Sequence, residues 1–172
     1  MTPAEVKELA GALRARYDAL PPGAKATLRR CGTANELRVE GVYWRLIDDA
    51  AVPSAARSNM AYVVGCFDTA ESGSESFARW LRRTAYGDVK SGDLPARSVR
   101  FRRLLAASHG DELVHHLRAL LRQGFQKSSR GVNWSELGAD IFFFGDAVRR
   151  RWAEQFFTGS TTAANSEGTD HA

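Results

Sequence analysis

Apolar residues recur every three or four positions along most of the chain, which is the spacing of amphipathic helices rather than strands. The opening segment shows this best, because Thr2 and Glu5 form a capping box around Pro3, a favoured residue at the first helical position. A helix is therefore predicted from here to Pro21. Its apolar stripe consists of Val6, Leu9, Leu13, Tyr17 and Leu20.

The same pattern predicts more helices along the rest of the chain. Asn133 and Glu136 resemble a second capping box, Ser98 is a candidate N-cap, and Asp111 can begin a helix bounded by Gly110 and Gly124. No segment alternates with the period of two that a half-buried strand requires. The remaining helices are predicted at residues 24–31, 42–47, 56–67, 76–84 and 148–156, with a turn-rich stretch around Asn35.

These elements predict an all-α fold made of two small stacked helical bundles, with no sheet. The Gly-, Asp- and Pro-rich stretch 86–97 suggests a boundary between an N-terminal helical lobe, residues 1–88, and a C-terminal basic helical lobe, residues 89–157. Residues 158–172 are small and polar and lack aromatic side chains, so a disordered tail is predicted there.

Composition narrows the class of protein. The 172 residues are 44% hydrophobic and 26% charged, as expected for a globular chain with a buried core. The apolar runs are too short for a membrane span, and the N-terminus lacks the pattern of a secretory signal, so a cytoplasmic protein without membrane partners is expected. In that setting Cys31 and Cys66 are expected to be reduced core residues.

Charge is distributed unevenly along the chain. The formal net charge is −1 for residues 1–75, +7 for residues 76–157 and −2 for the remainder. An asymmetry of this kind favours a polyanionic partner for the second half, and nucleic acid is the first candidate. The preference for arginine over lysine has two explanations, phosphate recognition or a GC-rich coding bias.

Several cations share predicted helix faces: Arg100 with Arg103, and Arg118 with Arg122. Like charges at this spacing repel, so the pattern costs stability unless an anion such as a polyphosphate offsets it. Contacts to phosphate would position a nucleic-acid backbone without reading bases. The candidate nucleic-acid-binding residues are Arg29, Arg30, Arg100, Arg103, Arg118, Arg122, Lys127, Arg130, Arg149 and Arg150.

Enzymatic chemistry is poorly supported. The sequence lacks the phosphate-binding loop, the zinc-protease motif and the serine-hydrolase elbow, so no catalytic residue, metal or cofactor is expected. The stretch His109–His116 places acids four residues before histidines, but metal sites built this way in helical bundles need further carboxylates. We interpret the acids as partners of the helix dipole and assign most aromatic residues to core packing.

Four stretches together resemble the CasB-type small-subunit family of Cascade, the type I-E CRISPR surveillance complex. They are TLRRCGTANELRVEGVYWRLI (27–47), RFRRLL (100–105), ELVHHLRALL (112–121) and VNWSELGADIFFFGDAVRRRWAEQFF (132–157). The resemblance implies a non-enzymatic, two-lobed helical protein that sits as a pair in the complex. Its implied role is to stabilise the R-loop, in which guide RNA pairs with one strand of the target DNA and the other strand is displaced.

Single positions carry the resemblance unevenly. Arg29 and Arg30 match the family's arginine pair, Arg100 its basic position before the paired leucines, and Arg118 the basic position of the following helix. The chain departs from the pattern at Ala119, where family members often have a second arginine, and at Asp146, where some have a basic residue. Neighbouring cations at Arg103, Arg122 and Arg149 are expected to compensate.

The primary hypothesis is thus a strand-stabilising ribonucleoprotein subunit. Its expected partners are guide RNA, both strands of the target DNA, other Cascade subunits and a second copy of the chain. A helical adaptor that docks its basic face on acidic proteins is one alternative. A metal hydrolase built on His109–His116 is the other.

Overall fold

The computed structural model describes residues 1–90, 92–128 and 131–158, and within them the fold is all-α and contains no sheet, which confirms the predicted class. Eleven α-helices lie in these ranges. They are α1 (Pro3–Ala19), α2 (Pro22–Arg30), α3 (Ala34–Arg38), α4 (Gly41–Asp49), α5 (Ser54–Val64), α6 (Phe77–Tyr86), α7 (Leu94–Arg97), α8 (Val99–Ala106), α9 (Asp111–Phe125), α10 (Trp134–Phe142) and α11 (Asp146–Thr158).

Two helix starts match the capping signals in the sequence. At α1, the Glu5 N–H donates to the Thr2 hydroxyl at 3.3 Å, and the Thr2 N–H donates to the Glu5 carboxylate at 2.7 Å. At α10, the Glu136 N–H donates to the Asn133 side-chain oxygen at 3.1 Å. These bonds confirm both predicted starts. They could be predicted from the sequence because such caps depend only on residues three apart.

Two local predictions are wrong, and a third is confirmed only in part. The stretch around Asn35 is helical, since the Thr33 hydroxyl accepts the Glu36 N–H at 3.2 Å and starts α3. The helix predicted to reach residue 67 ends at Val64. Ser98 occupies the N-cap position of α8 as predicted, but its side chain makes no capping bond, and its hydroxyl is buried without a partner in the described residues.

The helices pack across the predicted lobe boundary. Helix α1 lies against α10, and α6 lies against both α9 and α11. Two of these contacts depend on glycine: a Cβ at Gly138 would overlap the Cβ of Ala10, and a Cβ at Gly124 would overlap the ring of Trp80. The buried side chains form one cluster with members from both sides of the boundary, and the boundary stretch itself contains α7. The division into two lobes stays a prediction.

One extended segment, Ser72–Glu75, joins the start of α10 without forming a sheet. The Val132 N–H donates to the Glu71 carbonyl at 3.1 Å, and the Asn133 N–H donates to the Glu75 carbonyl at 2.9 Å. The backbones approach so closely that a Cβ at Gly73 or at Gly131 would overlap the opposing segment. This contact fixes the chain that follows α5 against the second half of the molecule.

The two ends of the chain complete the description. Thr158, the predicted first residue of the tail, is the last residue of α11, while residues 159–172 lie outside the described residues. Within the described ranges, no helix is both long and apolar enough to cross a lipid bilayer.

Candidate nucleic-acid interface

The centre of the candidate site is a single turn of 3-10 helix, Phe67–Thr69, which follows α5. The Thr69 N–H donates to the Cys66 carbonyl at 3.1 Å, and the Thr69 hydroxyl donates to the same oxygen. Phe67 and Thr69 are buried. The turn therefore offers one carboxylate, that of Asp68, to the helices around it.

Arg14 of α1 holds this turn in place. Its Nη1 donates to the Phe67 carbonyl at 2.7 Å and to the Ala70 carbonyl at 2.9 Å. Its Nη2 lies 2.9 Å from the Asp18 carboxylate, and its guanidinium carbon lies 5.1 Å from the ring centroid of Trp134. Because Arg14 is buried and its charge is paired, it acts as an internal support of the turn.

Three arginines lie around the Asp68 carboxylate. Arg118 Nη2 lies 3.5 Å from Oδ1, while Arg122 Nη2 lies 3.4 Å and Arg29 Nε 4.0 Å from Oδ2. Arg118 also donates to the Cys31 carbonyl at 3.1 Å. We call these four residues the Asp68 cluster; with three guanidinium groups and one carboxylate it carries an excess of two positive charges.

Exposure divides the Asp68 cluster into a shielded part and an open part. The side chains of Asp68 and Arg118 are 7% and 12% exposed, whereas those of Arg29 and Arg122 are 62% and 52% exposed. The distances to Asp68 exceed the 2.7–3.2 Å range of strong N–H···O bonds. Arg29 and Arg122 thus keep N–H donors that a solvent-side anion can use.

A second group of predicted residues lies near the C-terminal end of α6. Lys127 Nζ donates to the Ala85 carbonyl at 3.4 Å. Burial raises the pKa of the Tyr86 phenol, while a hydrogen bond from Gln123 and the charge of Arg100 oppose that rise. Arg100 and Arg103 are exposed on α8, and in the described residues neither forms an ion pair.

Among the described residues, the remaining candidates form no ion pair with Asp68. Arg149 is largely occupied, since it pairs with Asp146 at 3.0 Å and donates to the Ala107 carbonyl at 2.8 Å. Arg150 is exposed on α11, and Arg30 is exposed on α2 with its Nε donating to the Ala26 carbonyl at 3.2 Å. Arg130 lies outside the described residues.

Two residues of the site had no role in the sequence interpretation. Asp68 and Arg14 carry no local signal, because their partners are far along the chain: Arg118 and Arg122 are 50 and 54 residues from Asp68, and Phe67 is 53 residues from Arg14. The pairing of Arg118 and Arg122 on one face of α9 was visible in the sequence. The carboxylate that offsets their mutual repulsion was not.

The acids of the His109–His116 stretch have structural partners. Asp111 Oδ1 accepts the Ala34 N–H at 3.0 Å, which ties α9 to the start of α3. Glu112 Oε2 accepts the Ser108 N–H at 2.8 Å, and this bond holds the pKa of Glu112 below its ordinary value. Across the described ranges, no three His, Cys, Asp or Glu side chains are grouped so that they could hold a metal ion.

Cys31 and Cys66 are free and buried, which confirms their assignment to the core. Burial raises the pKa of the Cys66 thiol to about 12. Burial is also the main cause of the raised pKa of Cys31. Neither thiol has the depressed pKa of a reactive nucleophile.

Comparisons with known proteins agree with this architecture. Among solved structures, a chain in the crystal structure of E. coli Cascade bound to a PAM-containing dsDNA target is similar, with a TM-score of 0.65 and 21% sequence identity. The match covers 87% of this chain and 94% of that one. No curated protein matches the sequence significantly. The family model for the CRISPR-associated protein Cse2 matches residues 24–157 and confirms the resemblance identified from the sequence, so the chain belongs to the Cse2 family.

Proposed function

We propose that this protein is a non-catalytic subunit of a Cascade-type, RNA-guided DNA surveillance complex. In that complex it binds sugar-phosphate backbone without sequence preference and stabilises the R-loop. The observation that carries the proposal is the Asp68 cluster, in which three guanidinium groups from α2 and α9 surround one shielded carboxylate. Membership of the Cse2 family and the fold shared with a chain of E. coli Cascade support the same conclusion.

The chemistry of the cluster suits a phosphodiester. Guanidinium groups present planar, paired N–H donors that match phosphate oxygens, and a surplus of positive charge favours an anion in the open position. Such contacts are independent of base sequence, while pairing with guide RNA supplies sequence choice. Because R-loop formation is nearly balanced in free energy, phosphate contacts worth about 1 kcal/mol each are large enough to shift it.

We propose that other exposed cations, outside the Asp68 cluster, add further contacts to the backbone. Arg100 and Arg103 on α8, Lys127 after α9 and Arg150 on α11 are solvent-accessible and sequence-distant from Arg29. Guide RNA, target DNA and the displaced single strand are the proposed ligands. Other Cascade subunits and a second copy of this chain are the proposed protein partners.

A charge-reversal experiment in the assembled complex tests the proposal. The double variant Arg29→Glu, Arg122→Glu should still assemble but bind target DNA more weakly, by about tenfold or more, since two favourable contacts become repulsive. The magnitude of the salt dependence of single-strand binding, as the slope of log affinity against log salt, should fall by about 1.4 for two lost phosphate contacts.

The matched control is Arg16→Glu, Arg45→Glu, which makes the same change in net charge at exposed arginines of α1 and α4. This control should bind nearly as well as the unmodified complex. Equal weakening by both double variants would mean that net charge alone matters. If the complex carrying Arg29→Glu and Arg122→Glu assembles and binds DNA normally, the helical adaptor is favoured instead.

A further inference from the structure

We propose that Asp68 is a positioning residue of the nucleic-acid site, which orders Arg29 and Arg122 to receive backbone phosphates without contacting the nucleic acid itself. The inference rests on the proposed function and extends it from the cations to the carboxylate beneath them. Asp68 is negatively charged, and a surface that binds nucleic acid is expected to contain few carboxylates.

The backbone that carries Asp68 is fixed on both sides. Arg14 donates to the carbonyls of Phe67 and Ala70, and the extended segment after the turn is hydrogen-bonded to the start of α10. The turn itself is closed by the bond from Thr69 to the Cys66 carbonyl. Asp68 is thus a fixed anionic point that arginines of both α2 and α9 reach.

The arginines need such a point because they would otherwise repel one another. Arg118 and Arg122 are four residues apart on α9, a spacing at which like charges destabilise a helix, and Arg29 adds a third positive charge from α2. Long arginine side chains also lose conformational freedom when they bind a ligand. A carboxylate that draws them together before binding lowers both costs.

A carboxylate in contact with arginines can also compete with phosphate, and the geometry argues against that role. Asp68 is almost completely shielded, whereas Arg29 and Arg122 are more than half exposed, so the two arginines are more accessible to a phosphate from solvent than Asp68 is. The separations of 3.4 and 4.0 Å from Arg122 and Arg29 also leave most of their N–H donors unused.

The two roles predict opposite results for Asp68→Asn, which preserves shape and raises the formal net charge from +4 by one. A competing carboxylate would give tighter binding when removed, as would simple charge attraction. A positioning carboxylate gives weaker binding despite the added positive charge. We expect affinity of the full chain for labelled, unrelated single-stranded DNA to fall about tenfold, the cost of ordering one or two arginine side chains at the moment of binding.

Asp68→Glu tests the same point by rescue. It keeps the carboxylate and adds one methylene of reach, which the present long separations accommodate, so it should retain most of the affinity. Asp48→Asn is the matched control, because it removes an exposed carboxylate that pairs with Arg57 at 3.0 Å and not with an arginine of the cluster. Thermal unfolding, monitored by circular dichroism, sets a temperature at which every variant is folded.

Each outcome decides the matter. Equal or tighter binding by Asp68→Asn overturns the inference while leaving the proposed function intact, provided that Arg29→Glu, Arg122→Glu still weakens binding. If that double variant has no effect either, the proposed function fails and the inference fails with it. Asp68→Ser replaces Asp68→Asn should the latter not fold. Failure of both uncharged variants to fold would overturn the inference, because Asp68 would then be needed for folding rather than for binding.

Discussion

Asp68 and Asp140 are both shielded carboxylates, with side chains 7% and 14% exposed, yet their surroundings differ in charge balance. Asp140 of α10 pairs with one arginine, Arg151, and accepts the Trp152 indole N–H at 2.7 Å. Asp68 faces three arginines. The pair of Asp140 and Arg151 is electrically neutral and joins α10 to α11. The surplus of cations around Asp68 leaves binding capacity for an external anion.

At Asp140, shielding from solvent makes the charged form of the carboxylate less favourable. Burial raises the pKa of Asp140 above its ordinary value, although the bonds from Arg151 and Trp152 oppose the rise. A carboxylate of this kind contributes to stability through its hydrogen bonds while its charge remains unfavourable. The two aspartates should therefore respond differently to mutation: one through folding, the other through ligand binding.

The largest expected effect is on folding, from Asp140→Ala. This change leaves Arg151 and the Trp152 indole without their partner, so the free energy of unfolding should fall by about 3 kcal/mol. Urea denaturation measures it. Asp146→Ala, which removes an exposed carboxylate at the start of α11, should change stability by less than about 0.5 kcal/mol. A similar loss in both variants would contradict the distinction between shielded and exposed pairs.

A smaller effect separates two members of the Asp68 cluster. Arg118→Met removes a shielded cation that also serves the Cys31 carbonyl, so stability should fall by about 2 kcal/mol. Arg122→Met removes a cation that is 52% exposed and should change stability by less than about 0.5 kcal/mol. The same denaturation experiment decides the order of these two variants.

Single-strand binding should rank Arg122 as an important contact even though its removal hardly alters stability. Arg122→Met is expected to reduce the salt dependence of binding by about 0.7, the value for one lost phosphate contact. Loss of stability without loss of binding in Arg122→Met would reverse the assignment of shielded and open positions.

The smallest effect is a pH dependence at Asp140. Because its pKa is raised in the folded state, the folded protein binds this proton more tightly than the unfolded chain does. Stability should therefore decrease as the pH rises from the ordinary value of 3.8 through the raised value, and stay level above it. Asp140→Asn lacks this contribution, so the difference in unfolding free energy between the two proteins should change across that window. If the two curves of unfolding free energy against pH run parallel, the titration of Asp140 is not the cause of the pH dependence.

Much of the fold could be predicted from sequence because its signals are local. Thr2 with Glu5, and Asn133 with Glu136, announce helix starts within four residues. Thr33 and Glu36 carry the same kind of signal for α3, although the turn-forming residues around them favour the opposite interpretation. The end of α5 at Val64 could not be predicted from the sequence. The chain turns there to meet Arg14, and no local pattern contains this contact.

The candidate site could likewise be predicted from the sequence only in part. The surplus of positive charge in residues 76–157 and the shared face of Arg118 and Arg122 follow from composition and helical spacing. The meeting of α2 with α9 at Asp68 depends on tertiary packing. An aspartate in a short turn has no feature in the sequence that distinguishes it from the other acids of the neutral first half.

Helix α1 has a practical consequence for anyone who shortens this chain. The Cse2 family model begins at residue 24, so Arg14 and the whole of α1 precede it. A fragment trimmed to the matched segment would keep every candidate cation but lose the bonds from Arg14 to the carbonyls of Phe67 and Ala70. The segment that the family model covers is therefore shorter than the segment that the turn at residues 67–69 needs for its hydrogen bonds.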